Sequence, residues 1–241
     1  MNVYIFTEEE PLFTNKILYY LFRLKKKHNI ILIITKTNLK FRRILSILFI
    51  FRLKNFIFYL YKYLINIFFR RKINYIANKY NIKVKHVENV NSDKLLDTIG
   101  GKNNILLSIN CSQIFKKKLL NKFKKKVNLH LGKLPNYRGL FPIFFALING
   151  ERLIKATLHE INNKIDDGKI ITELSVKVTK KDAFYMYKKV HKKIAKKFAI
   201  KFYKIINNNQ VLKNKIKNAK NNKYYSYPNI SQILRYYRLY E

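Results

Sequence analysis

The chain has little of several residue types that usually mark a protein class. Its 241 residues include no Trp, one Cys, six Gly, four Pro and only 13 acidic residues. The single cysteine, Cys111, cannot form an intramolecular disulfide, which fits a reducing compartment and, by default, the cytoplasm. No Cys-x-x-Cys pair or His/Cys cluster indicates zinc, and we expect no metal. The first residues lack the charged-then-apolar order of a signal peptide.

The chain also lacks a long uninterrupted hydrophobic run. Residues 41–71 are almost entirely apolar and aromatic, but their longest charge-free stretch, 44–51, is shorter than the about 20 residues that a membrane span needs. We therefore expect no transmembrane helix. The polar residues that follow one narrow stripe of this predicted helix are Asn55, Lys62, Asn66 and Arg70. Two structures fit this pattern: a long core helix with one wet side, or a helix that lies on a membrane or a partner.

Acidic residues are scarce relative to basic ones. The 51 Lys and Arg give a formal net charge of +38, while 48% of the residues are apolar and 15% are aromatic. That apolar fraction predicts a folded core and excludes a disordered polybasic protein. The charge indicates either a surface for nucleic acid, anionic lipid or a phosphorylated substrate, or a compositional bias that the 28 Asn also reflect. Because the chain has only five Asp, an Asp in a structured context is informative.

Strand-like and helix-like segments alternate along the chain. The strand candidates are 2–6, 30–35, 82–87, 104–110, 127–130, 154–160 and 169–178, and the helix candidates besides 41–71 are 12–27, 93–99, 112–124 and 182–207. This order predicts an α/β protein with an open, mostly parallel, doubly wound (Rossmann-like) sheet and helices on both faces. We expect one catalytic domain at 1–207 and a short Tyr-rich extension at 208–241 that packs back on it, without a C-terminal β-barrel.

Turn-forming residues are concentrated between 132 and 168, where four of the six Gly and two of the four Pro lie. Just before this window, Asn128 and His130 are two residues apart on a predicted strand, so they point to the same face. Asp166 begins an Asp-Asp-Gly turn after a later strand. An amide, an imidazole and a carboxylate suit acyl transfer without a metal, because the first two stabilise an oxyanion and the third relays a proton. Cys111 has no activating neighbour in sequence, which favours a structural role.

Several short motifs fall in and around this window. They are Asn-x-His (Asn128, His130) followed by Leu-Pro (Leu134, Pro135), and Arg-Gly (Arg138, Gly139) followed by Pro142. The others are Gly-Glu (Gly150, Glu151), Thr-x-His (Thr157, His159) and Asp-x-Gly (Asp166, Gly168). In these motifs the chain resembles the 10-formyltetrahydrofolate-dependent formyltransferase family, a catalytic core shared by methionyl-tRNA, glycinamide ribonucleotide and sugar N-formyltransferases. Two positions depart from the family pattern: Gly132 replaces a common Ser and Lys155 a common Gly, and we expect Lys155 to stiffen a loop and add positive charge.

The resemblance implies the formyltransferase fold and a catalytic trio of Asn128, His130 and Asp166. It also implies 10-formyltetrahydrofolate as co-substrate, without a metal. The residues it places near the folate are Leu107, Ile109, Cys111, Ile114, Ile165 and Gly168. Those it places near the acceptor substrate are Arg138, Gly139, Pro142 and His159.

The acceptor is expected to be a primary amine, and the short tail, which resembles the end of compact formyltransferases, favours a nucleotide-linked amino sugar. Three alternatives remain open: a methionyl-tRNA formyltransferase, which the charge favours, a formyltetrahydrofolate deformylase, and a non-enzymatic basic protein that binds RNA or lipid. We expect a cytoplasmic protein, and residues 41–71 suit a peripheral contact with the inner membrane surface.

Overall fold

A computed structural model describes residues 1–10, 12–36, 40–69, 72–101, 103–207 and 223–239. Its centre is a sheet of five parallel strands: β1 (Asn2–Glu8), β2 (Asn29–Thr35), β3 (Lys83–Val87), β4 (Ile105–Ile109) and β5 (Lys125–His130). Two further strands, β7 (Leu153–Glu160) and β8 (Ile170–Lys177), extend it antiparallel beyond β5. The order is β3-β2-β1-β4-β5-β7-β8, so the chain switches direction between β1 and β4. This topology confirms the predicted doubly wound sheet.

Helices cover both faces of the sheet. They are α1 (Asn15–Arg23), α2 (Phe41–Phe69), α3 (Lys72–Lys79), α4 (Asp93–Leu96), α5 (Lys117–Leu120), α6 (Pro142–Ile148), α7 (Ala183–Asn207) and α8 (Ile230–Arg238). The alternation of side chains along β1 shows the two layers, because Val3 and Ile5 belong to the larger core and Tyr4 and Phe6 to the smaller one. Helices α4 and α5 pack on the smaller core, and the other six pack on the larger one.

Several boundaries differ from the sequence-based prediction. The predicted helix at 112–124 is wrong over most of its length, since only Lys117–Leu120 is helical. The preceding loop is held by hydrogen bonds to other segments, including one of 2.8 Å from the Lys116 N–H to Asn91 Oδ1. Helix α1 begins later than predicted because the buried carboxylate of Glu10 accepts hydrogen bonds from the N–H groups of Phe13 and Thr14. Helices α6 and α8 were not predicted.

Helix α2 consists of two parts that meet at a kink, where Arg52 has a φ of 62°. The first part contributes Ile47, Ile50 and Phe51 to the larger core. The sequence predicted that the polar stripe would be the exposed side of this helix. In the second part it is not, because Asn55 is half-buried, whereas apolar side chains are exposed. Arg70 and the side chain of Asn66 lie outside the described residues. By length and composition Phe41–Ile65 is apolar enough to cross a membrane, with a mean hydropathy of 1.6, and 22% of its most apolar stretch is buried.

The described part of the C-terminal extension, 223–239, packs back on the domain as predicted. A two-residue strand, β9 (Tyr224–Tyr225), pairs in parallel with β6 (Arg138–Gly139). Helix α8 follows and buries Tyr236, whose hydroxyl oxygen accepts a 2.8 Å hydrogen bond from the Ala183 N–H at the start of α7. The extension is therefore part of the domain and touches the loop that precedes α6.

Candidate active site

The candidate site lies at the carboxyl end of β5, next to the switch point of the sheet. Asn128 and His130 occupy alternate positions near the end of this strand. The antiparallel register sets His159 of β7 opposite Asn128. Asp166 follows β7 on a loop and has a φ of 50°, a left-handed conformation that directs the chain sharply. The fold thus brings together the three residues predicted to be catalytic and adds a fourth, His159.

The Asp166 carboxylate is the hub of this cluster. Its Oδ2 accepts a 2.9 Å hydrogen bond from the Gly139 N–H and lies 3.4 Å from His130 Nδ1. Its Oδ1 accepts a 3.2 Å hydrogen bond from Asn128 Nδ2 and lies 3.5 Å from His159 Nε2. Burial acts to raise the pKa of Asp166, but attraction to His130 and the hydrogen bond from the Gly139 N–H outweigh it and hold the pKa well below its usual range. Asp166 is therefore an anion at neutral pH.

His130 has an acceptor on each side of its ring. Its Nε2 donates a 2.5 Å hydrogen bond to the carbonyl oxygen of Tyr137, because that oxygen can only accept, and its Nδ1 faces Asp166. Only the imidazolium form satisfies both neighbours. Burial nevertheless lowers the pKa of His130 below its ordinary value, against the opposing charge of Asp166. The ring is thus able to gain and lose a proton beside an anionic carboxylate.

Asn128 is fixed by two hydrogen bonds from its side-chain amide. Besides the bond to Asp166, Nδ2 lies 3.1 Å from His159 Nε2. The His159 Nδ1–H donates to the carbonyl oxygen of Glu160 over 2.7 Å, so Nε2 is the acceptor for the Asn128 N–H. The His159 side chain is only 2% exposed. This location behind Asn128 and Asp166 favours a supporting position over the contact with substrate that the sequence suggested.

Arg138 clamps the turn that carries Asp166. Its guanidinium donates from Nε and Nη2 to the carbonyl oxygen of Ile165, over 2.9 and 2.6 Å, and Nη1 lies 3.2 Å from Asp167 Oδ1. Gly139 contributes its main-chain N–H to Asp166, and Pro142 opens α6. Of the residues expected to contact the acceptor, Arg138 and Gly139 thus hold the Asp166 loop.

The surroundings of Gly168, Gly132 and Lys155 explain the residue types found at these three positions. A Cβ at Gly168 would lie 1.7 Å from the carbonyl oxygen of Glu160, and one at Gly132 would lie 2.6 Å from His130 Nε2. Serine therefore does not fit at Gly132 on this backbone. We expected Lys155 to lie in a loop, but it lies in β7. Its ammonium pairs there with Glu173 of β8 over 2.9 Å, which largely neutralises its charge.

The residues expected near the folate lie at the same edge of the sheet. The side chains of Leu107 and Ile109 are buried in the core, and their main chain pairs with the neighbouring strands of the sheet. Burial raises the pKa of the Cys111 thiol to about 12, which makes it a poor nucleophile. Ile114 and Ile165 are 68% and 44% exposed and present apolar surface. No group of three or more His, Cys, Asp and Glu that could hold a metal occurs within the described ranges.

Two supporting residues were missed by the sequence reasoning. Tyr137 provides the carbonyl oxygen that binds His130, and its ring stacks on Tyr225 with the centroids 5.7 Å apart. Tyr225 also stacks on Phe145 of α6 at 4.2 Å. The only sequence signal was the Tyr-rich composition of the tail, which does not reveal which tyrosine meets the site.

Comparison with known proteins gives one family. The family model described as "Formyl transferase" matches residues 75–201, more than half of the chain. The bifunctional polymyxin resistance protein ArnA of Wigglesworthia glossinidia brevipalpis is 36% identical over 46% of this chain. The methionyl-tRNA formyltransferase of Finegoldia magna is 29% identical over 48% of it. These matches span only 18% and 37% of the two relatives' own lengths.

Solved structures support the fold over nearly the whole chain. WlaRD, a sugar 3N-formyl transferase solved in the presence of dTDP and 5-N-formyl-THF, superposes with a TM-score of 0.61 and 21% identity. The superposition covers 94% of this chain and 69% of WlaRD. The shared fold therefore includes regions outside the stretch that the family model matches.

Proposed function

Because the chain belongs to the formyl transferase family, we propose that it transfers a formyl group from 10-formyltetrahydrofolate to a primary amine. The observation that carries the proposal is the anionic Asp166, which is surrounded by the Asn128 amide, the His130 ring and the Gly139 N–H at the end of β5. Amide, imidazole and carboxylate are the groups that metal-free acyl transfer to an amine requires.

The residues around the cluster fit a folate. A folate has a flat heteroaromatic ring with polar edges, and exposed apolar side chains at Ile114 and Ile165 offer it surface beside the Asp166 loop. The main chain beyond β4 offers hydrogen-bonding groups for the ring edges, because the buried side chains of that strand point into the core. The folate supplies the formyl carbon, which the acceptor nitrogen attacks.

We assign stabilisation of the growing negative charge on the formyl oxygen to Asn128 and His130. Both N–H groups of Asn128 and both ring nitrogens of His130 have partners in this structure. Each side chain must therefore turn one N–H from its present partner toward the substrate oxygen. Asp166 takes a proton from the attacking amine and, with His130 beside it, returns it to the leaving nitrogen. One carbon–nitrogen bond forms, one breaks and one proton moves, so the reaction needs neither an oxidant nor a reductant.

As acceptor we propose a nucleotide-linked amino sugar. Two findings support it: the superposition on WlaRD extends over nearly all of this chain, and the Tyr224–Tyr225 strand packs beside the site loop, so the tail belongs to the catalytic domain. Basic side chains of a protein with a charge of +38 suit the diphosphate of such a substrate.

Methionyl-tRNA is the second candidate acceptor. It is favoured by the same charge and by the similarity to the Finegoldia magna enzyme across the catalytic core. One experiment compares both acceptors: the protein is incubated with 10-formyltetrahydrofolate and, separately, with nucleotide-linked amino sugars and with initiator methionyl-tRNA. Formylated sugar supports the proposal, and formylation of tRNA alone reverses the ranking. Release of formate with neither acceptor modified would identify a deformylase, and no reaction at all would contradict the enzymatic proposal.

We also propose a cytoplasmic location, at the inner surface of the membrane. A free, buried Cys111 thiol is compatible with a reducing compartment. Fractionation of the producing cells checks this, because recovery outside the cytoplasmic and inner-membrane fractions would contradict it.

A further inference from the structure

The second part of α2 exposes a continuous apolar face, which we call the α2 face. Its members are between 41% and 65% exposed and recur at helical spacing: Leu53, Ile57, Leu60, Tyr61 and Leu64. The other side of the same helix packs on the protein, where Tyr59 stacks on Phe13 and Tyr63 is buried. The helix thus has apolar side chains on both sides, and only one side has protein against it among the described residues.

The anchoring of α2 favours a helix lying flat over one that spans a bilayer. Before the kink, Arg43 Nη2 lies 2.7 Å from the buried Glu8 carboxylate, and Ile50 and Phe51 are part of the core. That part of the helix cannot leave the domain without exposing the core and separating the buried Glu8 carboxylate from its Arg43 counter-ion. The part beyond Arg52, up to Phe69, is shorter than the about 20 residues that a bilayer crossing needs.

Basic side chains border the α2 face. Lys54 is exposed and Lys62 lies over the rings of Phe58 and Tyr61, 5.7 and 5.4 Å from their centroids. No residue between 41 and 69 is acidic. The start of α7 and the loop before it add two further lysines beside the same helix: the Phe58 ring contacts the Phe184 ring at 6.2 Å, Lys188 Nζ is 5.5 Å from that ring, and Lys180, just before α7, lies over Tyr185.

Asp182, an acidic residue in this neighbourhood, offsets only part of the charge of the lysines at the surface. Asp182 accepts hydrogen bonds from the Tyr185 N–H and from Asn55 Nδ2, which ties it to the start of α7 and to α2. The rim of the α2 face therefore has a positive balance, contributed by both helices.

We propose that the α2 face lies on an anionic lipid membrane, with its apolar side chains at the level of the upper acyl chains and the lysines among the headgroups. This occupant supplies both things the face requires, apolar volume and negative charge. A second copy of the chain would supply the apolar surface but would bring two basic rims together, each on a protein with a charge of +38. Nucleic acid would neutralise the lysines and leave the Leu and Ile side chains in water.

The test measures binding of the full chain to vesicles by co-sedimentation. Vesicles of phosphatidylcholine with 30% phosphatidylglycerol are compared with pure phosphatidylcholine, at 50 and 500 mM salt. We expect binding to the anionic vesicles at low salt and a decrease of about tenfold or more at high salt or without phosphatidylglycerol.

A triple variant distinguishes lipid binding through the α2 face from non-specific lipid binding elsewhere on the protein. Leu53→Ser, Ile57→Ser and Leu60→Ser together should lower vesicle partitioning by about tenfold or more, because each removes an immersed side chain. Leu153→Ser with Ile230→Ser is the control, since these side chains are also exposed, by 48% and 80%, but lie on β7 and α8. Thermal unfolding of all proteins verifies the fold, which exposed positions should leave unchanged.

Three outcomes would overturn the proposal. One is equal vesicle binding by the triple variant and the control, and another is no binding to anionic vesicles at low salt. The third is a concentration-dependent dimer in sedimentation velocity that the triple variant abolishes, which would assign the face to a second copy. Formyl transfer is measured on the same samples without vesicles, so a failure of the catalytic proposal is seen independently of lipid binding.

Discussion

The main-chain N–H of Gly139 donates a 2.9 Å hydrogen bond to Oδ2 of Asp166, which joins the short β6 strand to the loop that carries Asp166. This bond orients the carboxylate and favours its charged form, because a buried anion is stabilised by an N–H donor. The backbone of one loop therefore controls the charge of a side chain on another.

Replacing Asp166 with Asn should abolish most activity and leave the fold intact. The amide has the same shape but cannot accept the amine proton, and general acid–base groups contribute about 10²- to 10⁴-fold to rates. Steady-state kinetics of formyl transfer measures the loss. Asp93→Asn, an exposed position paired only with surface Lys118, is the control and should keep full activity. Wild-type rates in Asp166→Asn would remove the assigned mechanism.

His159→Phe should lower kcat by about 10- to 100-fold with little change in KM, because Asn128 loses the acceptor that positions it. His159→Gln retains an acceptor oxygen and should recover part of that loss. Equal defects in both variants, or a rise in KM that leaves kcat unchanged, would instead indicate a direct contact with substrate.

Gly168→Ala should destabilise the protein by about 1–3 kcal/mol and distort the Asp166 loop, since the new Cβ would lie on the Glu160 carbonyl. Urea unfolding measures the change. Gly100→Ala is the matched control, because nothing lies within 4 Å of a Cβ there. Similar stability of the two variants would show that the loop relaxes freely.

Acid should destabilise the protein through His191, which is buried between Phe13 and Tyr187. Burial lowers its pKa from 6.5 to about 4, so between these values the unfolded chain binds a proton that the folded protein does not. Stability from this group is therefore complete above pH 6.5 and is lost as the pH falls toward 4, by on the order of 3 kcal/mol. The His191→Phe variant should lose less stability than the wild type between pH 6.5 and about pH 4. Urea unfolding at these two pH values measures the difference. Parallel pH curves for both proteins would contradict this.

Tyr225→Ala should reduce activity because it removes the ring that stacks on Phe145 and Tyr137 and so loosens the loop that bears Gly139. We expect a decrease of about tenfold or more in kcat. Tyr75→Ala, at an exposed position on α3, serves as control. Retention of full activity by Tyr225→Ala would show that the tail does not position the site.

The parallel sheet and the shared face of Asn128 and His130 were accessible from sequence because both depend on local patterns. Buried parallel strands such as 30–35 are continuous runs of β-branched and aliphatic residues, and Asn128 and His130 share a face by the period of a strand. Helix α6 was missed for the opposite reason: all its residues after Pro142 are buried, so no amphipathic period marks it.

Other features depend on contacts between distant segments. The role of His159 follows from its register opposite Asn128, and that of Tyr225 from the pairing of β9 with β6. Neither register is encoded near the residues themselves. The exposed side of α2 could not be identified either, because apolar residues lie on opposite sides of that helix and tertiary packing decides which side is covered.

The β6–β9 pairing joins Gly139 to Tyr225, 86 positions further along the chain. Such a contact forms late in folding, because a long loop must close before two short strands gain anything from pairing. The central parallel strands can assemble first, with Asn128 and His130 already in place on β5. The candidate site would then be complete only after the sheet has formed, so a newly made protein would be compact before it is active.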